Sequence, residues 1–217
     1  EVRRPSPPSL EELVAQAQDR VRAWSRRPSP RQPQEEVQVG SRDPDRDLAV
    51  LERAHSAFQQ QEYDAALHEL DQLPSGVPIW TEASCLRSVV LFHQERFSEA
   101  EAACQTTLAY DPWYADAHFV LGLVFRQQGL IDEALRSLEQ VIDLEPSHRY
   151  AHFFLAEIHR GFGRFAQARS EYENTLNILG QLDEPISKLR LPGLDDDTLL
   201  RACEVNLKEV RGKLAES

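Results

Sequence analysis

Residues 115–148 read ADAHFVLGLVFRQQGLIDEALRSLEQVIDLEPSH. This stretch is one copy of a unit that returns every 34 residues. Ala66, Ala100, Ala134 and Ala168 stand at that interval, and Tyr63, Phe97, Ile131 and Phe165 keep it three residues ahead of each alanine. Gly129 pairs with Gly163, and Pro112 with Pro146, in the same way. A fixed period of this length comes from stacked helical repeats, because one unit cannot bury its own apolar face and needs a neighbour. Within the stretch, apolar residues at helical spacing form two runs, broken at Gly129-Leu130 and closed by Pro146, which bars a helix from running on. Gly122 and Ala134 are small, so the two helix axes can cross about 8–10 Å apart, with Leu121, Phe125 and Leu138 around the crossing.

The same frame extends both ways. A first, degraded repeat covers about 47–76, where Ala54 and Ala66 hold the small positions and Pro74 cuts the second helix short. The second repeat, 81–114, has its second helix at Phe97–Tyr110, closed by Asp111-Pro112. The fourth, 149–182, keeps Leu155, Ala156, Gly163, Ala168 and Tyr172, but Gly180 replaces the closing proline. Turns are expected at Glu95-Arg96, Gly129-Leu130 and Gly163-Arg164. After a loop at 180–193, Asp195-Asp196-Asp197 places negative charge at a helix start, where the dipole favours it. Leu199, Cys203, Leu207, Val210 and Leu214 then share one face, as a helix capping the fourth repeat would require. The fold class is all-α: a short solenoid of helix pairs at 47–182 with a loop and capping helix at 183–217.

Residues 1–46 differ. They hold seven of the 13 prolines and none of the nine phenylalanines, the composition of a linker. Inside them Ser9-Leu10-Glu11-Glu12 has the form of a capping box. Leu10, Leu13, Val14, Ala17, Val21 and Trp24 follow at helical spacing, so an amphipathic helix is expected over about 10–27. A lone helix of that length is marginal; its support would be the repeat array, an upstream domain or a second copy of the chain. The chain starts at Glu1 and has no methionine, and we expect it to be a piece of something longer.

The net charge is −12, divided into +1 over residues 1–46 and −13 over the rest. A body this acidic repels phosphate backbones, which argues against nucleic acid as a partner. No apolar run approaches the roughly 18 residues of a membrane span. Cys85, Cys104 and Cys203 are odd in number, widely spaced and form no CxxC, so they read as reduced, partly buried residues of a cytoplasmic protein.

The recurring small and closing positions of 47–182 resemble the tetratricopeptide repeat. In that family an aromatic residue opens each repeat, where this chain has His118 and His152, and a first-helix tyrosine is replaced by Phe125 and His159. A narrower resemblance rests on Arg96–Glu101 leading to Tyr110-Asp111-Pro112, on Ala117–Gly129, and on Ala168-Arg169 through Asn174-Thr175-Leu176 to Pro192-Gly193-Leu194. These stretches are similar to the repeat region that follows the catalytic domain of some bacterial chemoreceptor glutamate methyltransferases. That resemblance implies a regulatory domain whose parent enzyme uses S-adenosylmethionine, and a partner that is either the helical cytoplasmic part of a chemoreceptor or the enzyme's own catalytic domain. The alternative is a stand-alone scaffold or chaperone subunit of a secretion or pilus-assembly system.

No phosphate loop, HExxH motif or base-flanked nucleophile is present, so no catalytic, cofactor or metal residues are assigned and the chain is not expected to be an enzyme. His118 and His152 lie one period apart without a further ligand nearby, which favours packing and hydrogen bonding over a metal. By the family resemblance, the first helices would line a concave groove for a peptide or helix. Its lining would be Cys85, Val89, Phe92 and His93 from the second repeat, Asp116, Phe119, Leu123 and Arg126 from the third, and Tyr150, Phe153, Glu157 and Arg160 from the fourth.

Overall fold

The computed structural model describes residues 43–75, 79–181 and 195–216. The expected 10–27 helix with its linker, and the loop from residue 182 to 194, lie outside them. The described residues form nine helices: α1 (Pro44–Gln59), α2 (Tyr63–Leu70), α3 (Trp80–His93), α4 (Phe97–Tyr110), α5 (Ala115–Gln127), α6 (Ile131–Leu144), α7 (Arg149–Gly161), α8 (Phe165–Gln181) and α9 (Asp196–Ala215).

The array begins earlier than residue 47. Pro44 is the first residue of α1, and the Asp43 carboxylate accepts from the amides of Asp45 at 3.2 Å and Arg46 at 3.4 Å. Proline is tolerated at a first helical position because that N–H has no partner in any case. Asp43-Pro44 is therefore a helix start and not the end of the linker. α2 has eight residues against fourteen in α4 and α6. It stops at Leu70, short of Pro74, and Leu73 is tucked into the core beyond it. At the other end α8 runs to Gln181, so Gly180 lies in its last turn.

Each pair closes with the same turn. Gln61, Glu95, Gly129 and Gly163 recur every 34 residues, and all four have positive φ, at 61°, 59°, 78° and 69°. The next amide reaches back five residues each time: Glu62 to Ala57, Arg96 to Leu91, Leu130 to Phe125 and Arg164 to His159, at 2.8–3.0 Å. This is the helix-ending motif that satisfies otherwise orphaned carbonyls.

The core follows the period as well. Ala66, Ala100, Ala134 and Ala168 have no exposed surface, and first-helix Ala54, Ser88, Gly122 and Ala156 are buried in register. Gly122 marks the tightest crossing: a Cβ there would lie 2.8 Å from Leu138 Cγ and 2.9 Å from Cδ2. Where a polar side chain enters this layer it finds a partner. Ser88 donates to the Cys85 carbonyl at 2.6 Å, and the Thr107 and Ser84 hydroxyls bond at 2.9 Å. α9 packs on α8 with Leu199, Cys203, Leu207 and Val210 buried and Leu214 partly so, and Asp195 caps it by accepting from the Thr198 amide at 2.8 Å.

Candidate partner-binding face

The direction of curvature identifies the inner face. Successive first helices touch: Phe58 of α1 meets His93 of α3 with ring centroids 5.4 Å apart, α3 packs on α5, and Phe119 of α5 meets Phe154 of α7 at 5.8 Å. Among the described residues the second helices α2, α4, α6 and α8 pack against first helices and not on one another. An array whose first helices are closer together than its second helices bends with the first helices inside. α9 takes the place a fifth first helix would have, resting on α8 and touching α7.

The twelve residues expected to line the groove separate into two sets. Cys85, Val89, Phe119, Leu123, Tyr150 and Phe153 are buried, with Phe119 at 0 % and Phe153 at 7 % exposure. Phe119 packs against His148 at 4.9 Å, so it belongs to the floor between α5 and α7. Phe92, His93, Asp116, Arg126, Glu157 and Arg160 are partly exposed.

Two of the exposed set are already engaged. Glu157 accepts from the Tyr172 hydroxyl, from Arg160 Nη2 at 3.0 Å and from Asn206 Nδ2 of α9 at 2.7 Å. Arg160 adds bonds to the Tyr172 oxygen at 3.2 Å and to Glu209 of α9 at 3.3 Å. Burial, reinforced by the bond to Glu157, raises the Tyr172 hydroxyl's pKa well above its usual value. The fourth repeat thus spends its inner polar side chains on the cap.

His93 serves the joint between the first two repeats. Its ring stacks on Tyr63 at 5.8 Å and meets Phe92 edge-on at 5.8 Å, and burial lowers its pKa, so it is neutral at pH 7. Asp116 faces a histidine that sequence reading did not single out. His148 Nδ1 accepts from the Ala151 amide at 3.1 Å as the cap of α7, which leaves the ring proton on Nε2, 3.5 Å from Asp116 Oδ1. Arg126 lies over the Phe154 ring, 5.5 Å from its centroid, an arrangement that attracts a cation to the ring face.

The accessible inner face is completed by residues whose register was readable. Leu48 and Glu82 stand 68 and 34 residues before Asp116, and Leu48 is 48 % exposed. His55, on α1, is 3.9 Å from Glu82. This surface carries both charges, with Glu82 and Asp116 acidic and Arg126 basic. Two recesses lie elsewhere: about 180 Å³ lined by Leu70, Trp80, Arg87 and Thr106 beside the short α2, and about 340 Å³ between α8 and α9.

The paired histidines take hydrogen bonds. His118 Nε2 is 3.0 Å from the Pro112 oxygen, and His152 Nε2 is 2.9 Å from the Pro146 oxygen. Among the described residues no group of three or more His, Cys, Asp or Glu could hold a metal, and no helix is long and apolar enough to cross a membrane. The three cysteines are unpaired and buried, and burial pushes the Cys104 and Cys203 thiols up to about 12.

The tetratricopeptide repeat profile matches residues 51–112, 85–135 and 119–176. The chain belongs to the tetratricopeptide repeat family. No curated protein sequence matches it. Among solved structures it resembles MamA, with 22 % identity and a TM-score of 0.54 over 64 % of this chain and 81 % of that one. PcrH in complex with the chaperone binding region of PopD gives 17 % identity and a TM-score of 0.54 over 65 % and 98 %. The first tetratricopeptide domain of Spaghetti (RPAP3), bound to the HSP90 peptide SRMEEVD, gives 24 % and 0.51 over 56 % and 96 %. At these identities the likeness is one of fold.

Proposed function

We propose that this tetratricopeptide array is a non-catalytic binding module of scaffold or chaperone type, whose inner face holds a segment of a partner protein. The observation that carries the reading is the inner face itself, where Leu48, Phe92, Asp116 and Arg126 remain accessible above a close-packed floor. Apolar and charged groups side by side along a concave surface suit a peptide or helix. PcrH and Spaghetti, which share the fold, are each solved with a segment of another protein bound. Those neighbours favour a scaffold or chaperone over an enzyme's accessory domain. The accessory reading is supported by the resemblance of 96–112, 117–129 and 168–194 to chemoreceptor methyltransferases, and it would assign catalysis and S-adenosylmethionine to a separate domain.

A photo-crosslinking amino acid placed at Phe92 or at Arg126 should capture partner protein in cell extract, whereas one at Glu139, exposed on α6, should not. Capture from Glu139 alone would reject the inner face. The captured protein separates the two readings: a chemoreceptor or methyltransferase domain supports the accessory role, a secretion or assembly component the chaperone role.

A further inference from the structure

His152 is 6 % exposed and has an acceptor at each ring nitrogen. Nδ1 lies 2.6 Å from Glu171 Oε2 on α8, and Nε2 lies 2.9 Å from the Pro146 carbonyl oxygen in the turn between α6 and α7. A neutral imidazole has one N–H and could serve only one of them. A carbonyl oxygen has no proton to offer and neither has an ionised carboxylate, so both nitrogens must donate. We infer that His152 is a buried imidazolium, a proton-held clamp that fastens α8 and the preceding turn to α7 at the joint of the third and fourth repeats.

Loss of the proton would leave a lone pair facing either Glu171 or Pro146, and one side of the joint would be released. The repeat supplies its own comparison. His118 occupies the same register one period earlier and bonds Pro112 in the same way, but Ser137 stands where α8 has Glu171. His118 thus has one such acceptor where His152 has two, and it is partly exposed.

The charged groups around the ring are few. α8 supplies Glu171, braced by Asn174 Nδ2 at 3.4 Å. α7 contributes His159, which also acts on Glu171, and the α7–α8 turn contributes Arg164 beside His159; Glu139 of α6 acts on His159 in turn. Burial and then Arg164 lower the His159 pKa, so that ring is neutral near pH 7. For His152, burial opposes the charge, but the bonds to Glu171 and Pro146 outweigh it and raise the pKa. Burial likewise opposes ionisation of Glu171, and the bond to His152 outweighs it and lowers that pKa. A raised histidine gives stability that is whole below the ordinary imidazole value and disappears as pH climbs through the folded value. A lowered carboxyl gives stability that is whole above the ordinary carboxyl value and disappears as pH falls through its depressed value. The clamp is therefore fully closed between the ordinary carboxyl and imidazole values, opens on the alkaline side as His152 loses its proton, and opens on the acid side as pH falls through the depressed Glu171 value.

Nitrogen-15 NMR of the imidazole rings tests the clamp directly. At about pH 7, where an ordinary histidine is mostly neutral, both His152 nitrogens should carry protons. Urea unfolding supplies a second readout. Between about pH 6 and about pH 9 the folding equilibrium constant of the unaltered protein should fall several-fold more than that of Glu171→Gln, which lacks the carboxylate that favours the charged ring. A His152 ring with one N–H at about pH 7, or parallel pH profiles for the two proteins, would overturn the inference. Should the variant fail to fold, the NMR of the unaltered protein decides alone.

Discussion

Replacing Gly122 by alanine isolates the closest contact in the array. Gly122 sits inside α5, where alanine is favoured over glycine by about 1 kcal/mol for an exposed helix interior. Here the added Cβ would lie 2.8 Å from Leu138 Cγ and 2.9 Å from Cδ2, closer than carbon atoms normally approach, with the Ala134 carbonyl oxygen at 3.5 Å behind them. Leu138 has no exposed surface, so its side chain has little room to swing away. Overpacking of this kind costs about 1–3 kcal/mol. Subtracting the propensity gain leaves a net loss of about 0–2 kcal/mol, or a melting temperature lower by up to roughly 8 °C for a domain of this size. The decisive assay is a double-mutant cycle in urea, followed by far-UV circular dichroism. Leu138→Ala alone should cost about 2–5 kcal/mol through the cavity it leaves. Adding Gly122→Ala to that variant should then be neutral or stabilising, because the contact it violated is gone. The reasoning fails if Gly122→Ala stabilises the protein with Leu138 in place, or costs the same whether the leucine is present or not.

The remaining expectations concern the turns, the buried hydroxyl, the thiols and the cap. Glu95 holds the left-handed turn position that Gly129 and Gly163 fill in later repeats, so Glu95→Gly should stabilise by about 0.5 kcal/mol, the relieved strain being partly offset by greater freedom in the unfolded chain. Gly129→Ala should destabilise by about 1 kcal/mol although open space surrounds it; thermal melts of both variants check the pair. Tyr172→Phe removes a hydroxyl shared by Glu157 and Arg160 in a fully buried residue, and should cost about 1–3 kcal/mol by urea unfolding. Cys85, Cys104 and Cys203 should resist alkylation at neutral pH until urea exposes them, since burial raises all three thiol pKa values; rapid labelling of the native protein would contradict their burial. Ending the chain after Gln181 removes α9 and should reduce hydrogen-exchange protection in α7 and α8 more than in α3 and α4, because stacked repeats depend on their nearest neighbours; an even loss would contradict that.

Much of the fold was legible because the period repeats and the cues are local. Gly129 and Gly163 announce their turns, as only glycine adopts positive φ without strain. Gln61 and Glu95 make the same turn with ordinary side chains and are recognisable only by counting back from the glycines. Asp43-Pro44 was misplaced because a proline at a helix start and a proline in a linker look alike until the capping bonds are seen. The buried floor of the inner face was in the expected list, but register cannot separate a floor residue such as Phe119 from a rim residue such as Asp116. That distinction depends on how closely α7 approaches α5. His148 and Glu171 escaped notice for a related reason: histidine is an unusual helix cap, and the carboxylate that bonds His152 lies 19 residues away on another helix.

Two arginines in one register are held in different ways. Arg126 and Arg160 are 34 residues apart and occupy equivalent places on α5 and α7. Around Arg160 the chain supplies Glu157 on its own helix, Tyr172 on α8, and Glu209 on α9. One period earlier Leu123 replaces Glu157, Leu138 replaces Tyr172, and the next first helix offers the Phe154 ring. The guanidinium of Arg126 therefore rests on an aromatic face, while that of Arg160 is held by carboxylates. Substituting apolar residues for the partners of a charge inside a protein is costly unless the charge keeps access to water or to another molecule. Arg126 and Arg160 are both partly exposed, so each guanidinium keeps access to water, but only Arg160 is tied to the capping helix, through Glu209. One repeat position thus yields an arginine bound to the cap in the fourth repeat and one resting on a ring in the third, decided by which side chains the chain places around it.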